Sequence, residues 1–168
     1  ARQVQPGDKV LVLGAGGKSG LLCCYEAARR IGPHGMLLGL ERHPQARKDL
    51  EQLGFCRQVL DADAQHPVEV LQQVMQATRG QELDLVINCV NIPATEMSCV
   101  LPLRQRGTVY FFSMATSFTA AALGAEGVGK DVDLLMGNGF AKGHDLTTLQ
   151  ILRDCPALRE LFTRDRKS

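Results

Sequence analysis

The stretch Val10-Leu11-Val12-Leu13-Gly14-Ala15-Gly16-Gly17-Lys18-Ser19-Gly20 constrains this chain more than any other. A short apolar run breaks into four glycines within seven positions. It then resumes as Leu21-Leu22-Cys23-Cys24-Tyr25-Glu26-Ala27-Ala28, with apolar residues at helical spacing. The pattern predicts a buried strand, a tight turn and the start of a helix. Glycines at such a turn let backbone amides approach a ligand closely, and a helix N-terminus favours an anionic group such as a pyrophosphate. The rest of the chain is therefore read against one question: dinucleotide site, ATP site, or neither.

Downstream, apolar runs and helical patterns alternate. Arg2 to Gln5 read as an arm, and the turn Pro6-Gly7-Asp8 launches the first strand at Lys9. The helix after the glycines runs to about Arg30 and stops at Gly32-Pro33. Met36 to Leu40 is a second strand, His43-Pro44 opens a helix that Gly54 ends, and Cys56 to Leu60 is a short third strand. Val68, Val70, Leu71, Val74 and Met75 lie on or near one helical face, closed by Gly80. Leu83 to Val90 is the fourth strand, Thr95 to Leu103 a helix, Gly107 to Ser113 the fifth strand. A small-residue stretch, Ala120 to Gly129, precedes a sixth strand at Val132 to Met136, and two helical segments follow at Asp145 to Cys155 and Pro156 to Thr163. Such alternation indicates crossover units and a parallel sheet covered on both faces. The expected fold is α/β: a doubly wound, six-stranded parallel sheet of order 3-2-1-4-5-6 in three αβα layers.

Lys18-Ser19 after Gly17 raises the phosphate loop of nucleotide triphosphatases as a rival. That loop requires a first glycine at position 12, where this chain has Val12 inside the strand. The fourth strand also presents Asn88 where an Asp for magnesium is expected. The dinucleotide reading fares better. Gly14-x-Gly16 matches its fingerprint, Ser19 takes the third glycine's place and Gly20 follows one position later. An acidic residue at the end of the second strand should hold the adenosine ribose, and Glu41 stands there. Glu41 favours NAD, while Arg42 and His43 keep NADP open through its 2′-phosphate. The candidate cofactor-binding residues at this end are Gly14, Ala15, Gly16, Gly17, Lys18, Ser19, Gly20, Glu41 and Arg42.

The same topology directs the ends of strands four to six toward the nicotinamide half: Asn88, Cys89, Val90 and Asn91, then Ser113 and Met114, then Asn138 and Gly139. Lys142 and His144, in a glycine-flanked segment after the sixth strand, are candidate acid–base groups; the alternative is a surface loop with His144 near a helix N-terminus. No spacing suggests a metal site. A net charge of +1 gives no sign of a nucleic-acid or membrane-surface partner, and no run approaches the ~18 apolar residues of a spanning helix. None of the six cysteines forms a Cys-x-x-Cys pair and most lie in apolar runs. They read as small hydrophobes in a reducing, cytoplasmic compartment.

With these residues placed, Pro6-Gly7-Asp8-Lys9 through Gly17 resembles the start of the cofactor domain in medium-chain, zinc-type alcohol dehydrogenase relatives. Gly17-Lys18-Ser19-Gly20 is a less usual variant there. Taken with Asn88-Cys89-Val90-Asn91, the segment Phe112 to Phe118 and Gly137-Asn138-Gly139, it resembles the L-erythro-3,5-diaminohexanoate dehydrogenase family, from about Pro6 to Phe162. The resemblance implies NAD-dependent oxidative deamination of a small diamino acid, 3,5-diaminohexanoate, to 5-amino-3-oxohexanoate and ammonia in lysine fermentation. It also implies an additional amino-terminal substrate domain, so that residues 1–168 are a cofactor-binding fragment with little turnover of its own, and a homodimer through the sixth-strand edge. Two alternatives stay open: a non-catalytic module that senses NAD(P), and another medium-chain alcohol or quinone dehydrogenase.

Overall fold

The structure is a computed structural model and describes residues 4–137 and 140–164. Strand β1 (Lys9–Leu13) leads through the glycine turn into helix α1 (Lys18–Ile31). Then come β2 (Met36–Leu40), α2 (Pro44–Leu53), β3 (Gln58–Leu60), α3 (Pro67–Ala77) and β4 (Leu83–Asn88). The chain continues through α4 (Glu96–Val100), β5 (Leu103–Phe111), α5 (Phe118–Gly127) and β6 (Asp133–Met136), and closes with α6 (His144–Asp154) and α7 (Pro156–Thr163). All pairings are parallel and the order is β3-β2-β1-β4-β5-β6, as the alternation of patterns predicts.

The central strands β1 and β4 are mostly apolar, at residues 10–13, 83 and 85–87, because both faces are covered. In β1, Val10 and Val12 pack against Leu21, Cys24, Ala27 and Ile31 of α1, with Leu158 and Leu161 of α7 in the same layer. Leu11 and Leu13 face the other way, into a layer built from Val70 and Val74 of α3, Cys99 and Val100 of α4 and Ala121 and Ala125 of α5. The stripe Leu21, Cys24, Ala27 and Ile31 explains why α1 forms. Gly32, with φ at 66°, and Pro33 explain where it stops.

Several boundaries depart from expectation. The third strand begins at Gln58, two residues after Cys56. Val68 is 61% exposed and does not share the buried face of Val70 and Val74. The helix expected over 95–103 ends at Val100, because Pro102 interrupts it and Leu103 already pairs with Leu83. The fifth strand then runs from Leu103 to Phe111 rather than from Gly107 to Ser113. Its register jumps from Leu83↔Leu103 to Leu85↔Thr108, so residues 104–107 bulge outward. Arg106 turns there with φ at 60° and donates its N–H to Asp131 O at 2.6 Å. The small-residue stretch folds as α5, whose N-cap Ser117 accepts the Ala120 N–H at 3.2 Å. Among the described residues no helix is long and apolar enough to cross a membrane.

At the amino end of the sheet, Asp84 ties three strands together. Its carboxylate accepts the Lys9 N–H at 2.8 Å and Arg104 Nε at 2.7 Å. Burial opposes ionisation here, but the Arg104 and Lys9 donors outweigh it and hold the Asp84 carboxyl below its ordinary range. The opposite, carboxyl end of the sheet carries the glycine turn.

Candidate dinucleotide site

Gly14 follows β1 with φ at 70°, a conformation glycine adopts at little cost. Its N–H donates to Leu40 O at 3.0 Å, and its carbonyl accepts the Gly17 N–H at 3.1 Å, closing the turn. A Cβ on Gly14 would touch Val90 Cγ2 at 3.0 Å; one on Gly16 would press on Ala46 Cβ at 2.8 Å and Glu41 Oε2 at 2.9 Å. At Gly20 a Cβ would overlap the Gly14 carbonyl oxygen and lie 2.7 Å from Ala15 Cα. Close helix-to-strand contact therefore falls on Gly20. The fingerprint spacing assigns it to Ser19, which is half-buried one position earlier. Ala15 is buried beneath the turn, and Gly17 is the N-cap of α1 with no side-chain cap. The first turn of α1 carries no acidic residue of its own.

Glu41 follows β2 directly. One carboxylate oxygen accepts the Gly16 N–H at 3.1 Å and the other accepts the His43 N–H at 2.9 Å. The side chain is thereby fixed between the glycine turn and the start of α2. Arg42 points along the same edge, and its guanidinium donates to Asp63 Oδ2 at 2.7 Å. The Gln65 N–H, then Arg42, keep the Asp63 carboxyl below its ordinary range.

Between these groups lies a recess of about 220 Å³, lined by Gly14, Gly17, Leu40, Glu41, Arg42, Ala62, Asp63, Ala64, Cys89, Val90 and Ile92. Sequence reasoning singled out Gly14, Gly17, Glu41, Arg42, Cys89 and Val90 but not Asp63. Asp63 lies 21 residues from its arginine, and no local pattern signals such a pair. A larger recess of about 640 Å³, between Glu26, Arg29 and Arg30 of α1 and Leu146 and Gln150 of α6, sits toward the far end of α1 from the glycine turn. The smaller recess is the one at the strand ends and the glycine turn, where a doubly wound sheet presents its crevice.

The remaining candidates differ in their surroundings. Asn88 is fully buried: its amide donates to Thr95 Oγ1 at 2.9 Å and its carbonyl oxygen accepts the Val90 N–H at 3.0 Å, which shapes the loop after β4. Asn91 is exposed, Ser113 accepts the Ala115 N–H at 3.1 Å, and Met114 is 87% exposed. Lys18 stands at the helix start with Nζ 6.0 Å from the Phe162 ring centroid. Lys142 and His144 are exposed and line neither recess; His144 is the first residue of α6, with Nδ1 2.7 Å from Ala141 O and its ring edge-on to Phe140. Asn138 and Gly139 lie outside the described residues. Among the described residues no three His, Cys, Asp or Glu side chains gather as a metal site.

No protein-family profile matches the chain. It is 57% identical over 164 residues to L-erythro-3,5-diaminohexanoate dehydrogenase of Acetoanaerobium sticklandii, covering 98% of this chain and 48% of the relative. It is 47% identical over 162 residues to the enzyme of the same name from Fusobacterium nucleatum, covering 96% of this chain and 47% of that one. The chain thus spans about half the length of the curated relatives it matches, and the resemblance read from its motifs is borne out across that span. Among solved structures, an alcohol dehydrogenase from Thermus sp. ATN1 superposes with a TM-score of 0.66 at 26% identity, covering 90% of this chain and 40% of the other. The fold is the Rossmann-type cofactor-domain fold of medium-chain dehydrogenases.

Proposed function

We propose that this chain is the cofactor-binding domain of an NAD-dependent dehydrogenase that oxidatively deaminates L-erythro-3,5-diaminohexanoate, the substrate domain lying in the part of the protein that these residues do not span. The observation that carries the reading is the 57% identity across 98% of the chain to an enzyme of that name. The site fits a dinucleotide on its own geometry. At Gly14, Gly16 and Gly20 the turn packs too closely for a Cβ, and an acidic side chain is held where a ribose would meet it.

Each residue has a distinct task in this reading. Gly14 and Gly16 bring the turn backbone close to the pyrophosphate, and the first amides of α1 donate to it. Glu41, held by the Gly16 and His43 amides, accepts the two adenosine ribose hydroxyls on its remaining carboxylate lone pairs. Asp63 neutralises Arg42, the group that would otherwise receive a 2′-phosphate, so NAD is preferred over NADP. Cys89 and Val90 form the wall on the β4 side. A bound nicotinamide dinucleotide supplies the hydride acceptor, and water then releases ammonia from the oxidised substrate. Of the groups on this chain, Lys142 and His144 are the candidates for proton transfer. The free thiols suit a reducing cytoplasm. Strand β6 pairs only with β5 among the described residues, and this edge is the surface proposed for a homodimer.

The direct test supplies the full-length protein with NAD and L-erythro-3,5-diaminohexanoate and follows reduced nicotinamide by absorbance and ammonia by a coupled assay. Stoichiometric appearance of both is expected. NAD binding without turnover would overturn the substrate, and absence of NAD binding would overturn the domain's role.

A further inference from the structure

Four of the six cysteines meet in two pairs that the dinucleotide reading does not use. Cys23 and Cys24 are adjacent on α1, so their side chains leave the helix about 100° apart. Cys24, fully buried, turns into the core and meets the partly exposed Cys56 at 3.8 Å between sulfurs. Cys23 turns toward the end of β4 and meets Cys89, also at 3.8 Å, and both of these are partly exposed. Cys89 follows the last residue of β4, donates its N–H to Leu13 O at 3.0 Å and lines the recess beside Gly14 and Val90. The glycine turn is in direct register with it: a Cβ on Gly14 would lie 3.3 Å from the Cys89 carbonyl carbon.

We propose that Cys23 and Cys89 form a thiol-oxidation site, a reversible disulfide joining α1 to the wall of the dinucleotide recess, and that closing it weakens dinucleotide binding. The inference rests on the reading of that recess as an NAD site. The sulfurs need to approach by roughly 1.8 Å to reach a disulfide's ~2.05 Å, within the reach of side-chain rotation and a small backbone shift. That shift draws Cys89 toward the helix and away from the position that supports Val90 and Gly14.

The chemistry is a two-electron oxidation by a peroxide. The Cys23 thiolate attacks one peroxide oxygen, the O–O bond breaks, and the departing hydroxide takes up a proton to leave as water. The Cys89 sulfur, losing its proton, then attacks the resulting Cys23 sulfenic sulfur. The S–O bond breaks and a second water leaves. Two thiols and one hydrogen peroxide become one disulfide and two waters, and an added dithiol reverses the step. The hydrogen bond from Cys89 lowers the Cys23 thiol below its ordinary value, while the same contact, then burial, raises Cys89 well above. Cys23 is thus the attacking sulfur. The Cys24–Cys56 pair is the internal contrast: the hydrogen bond from Cys56, then burial, raises Cys24, and Cys24 is fully buried where Cys23 is partly exposed.

The test uses the full-length protein, reduced and then treated with limiting hydrogen peroxide. Non-reducing peptide mapping identifies the link, and calorimetry measures NAD affinity in reduced, oxidised and dithiothreitol-restored samples. A Cys23–Cys89 cross-link with about fivefold or greater loss of NAD affinity, recovered on reduction, is expected. By reciprocity, saturating NAD should slow the cross-link. Cys23→Ser should remove both effects, and Cys24→Ala should preserve both. A Cys24–Cys56 link, over-oxidation without any link, or a Cys23–Cys89 link that leaves NAD affinity unchanged would each overturn the proposal. Should Cys89→Ser unfold, Cys23→Ser alone decides the matter. Reduced protein that binds no NAD refutes the underlying site reading, whereas reduced protein that binds NAD but ignores oxidation refutes only the thiol site.

Discussion

Gly20→Ala isolates the contact on which the glycine turn depends. Gly20 is the third residue of α1, and alanine is favoured over glycine within a helix by up to about 0.8–1.0 kcal/mol, so propensity alone would make this substitution stabilising. Packing opposes it. The new Cβ would overlap the Gly14 carbonyl oxygen and sit 2.7 Å from Ala15 Cα, and both neighbours are backbone. Restoring the ~3.5 Å separation of ordinary carbon contacts requires α1 to retreat by about 0.8 Å or more from the end of β1. Overpacking of this kind costs about 1–3 kcal/mol. The upper part of that range prevails over propensity, leaving a net loss of about 1–2 kcal/mol, or roughly 2–8 °C in Tm for a domain of this size. The retreat also moves the first amides of α1 away from the pyrophosphate position, so NAD binding should weaken more than stability. Urea unfolding and NAD calorimetry on the variant measure both. Ser19→Gly, which restores the usual fingerprint spacing, should gain nothing in either assay. A Gly20→Ala protein as stable as its parent, with unchanged NAD affinity, would refute the close-contact argument.

The ion pair at the recess edge predicts cofactor preference. In Asp63→Asn, Arg42 loses its partner at 2.7 Å, and the ratio of NADP to NAD affinity should rise about three- to tenfold in parallel titrations. An unmoved ratio would count against Asp63 as the neutralising group. The sheet's amino end predicts acid sensitivity. Because the folded Asp84 carboxyl sits below its unfolded value, it contributes stability that is fully present above about pH 4 and lost as pH falls through the folded value. Asp84→Ala should therefore destabilise by about 1–2 kcal/mol at pH 7, with the gap from wild type closing toward pH 2 in urea melts. A pH-independent gap would contradict that role.

Strand order was legible because breakers punctuate the chain. Gly32-Pro33, Gly54 and Gly80 each end a helix, and the apolar runs between them leave a doubly wound sheet as the arrangement that buries all of them. The start of β5 was not legible. Leu101 and Leu103 extend the apolar pattern of α4, and only pairing of Leu103 with Leu83 and the outward bulge at residues 104–107 show that the strand has begun. Glu41 could be located from its distance to the glycines alone. Asp63 and the cysteine contacts could not, since they join residues 21, 32 and 66 positions apart. Ser19 was assigned a role by spacing that the helix geometry gives to Gly20, because the turn here holds one residue more than the common fingerprint.

The central claim, that the recess between the glycine turn and Glu41 takes the adenosine end of NAD, is tested most directly by titrating NAD into wild type and Glu41→Ala by calorimetry. Glu41 is held by the Gly16 and His43 amides at 3.1 and 2.9 Å, one to each oxygen, which leaves further carboxylate lone pairs to accept the ribose hydroxyls. Charge-assisted bonds of this type contribute about 1.5–3 kcal/mol, which corresponds to NAD affinity lower by about 10- to 100-fold in the variant. NADP affinity should fall less, because a repelling carboxylate is also removed. Equal NAD affinity in the two proteins, with the variant still folded, would contradict the assignment of this recess.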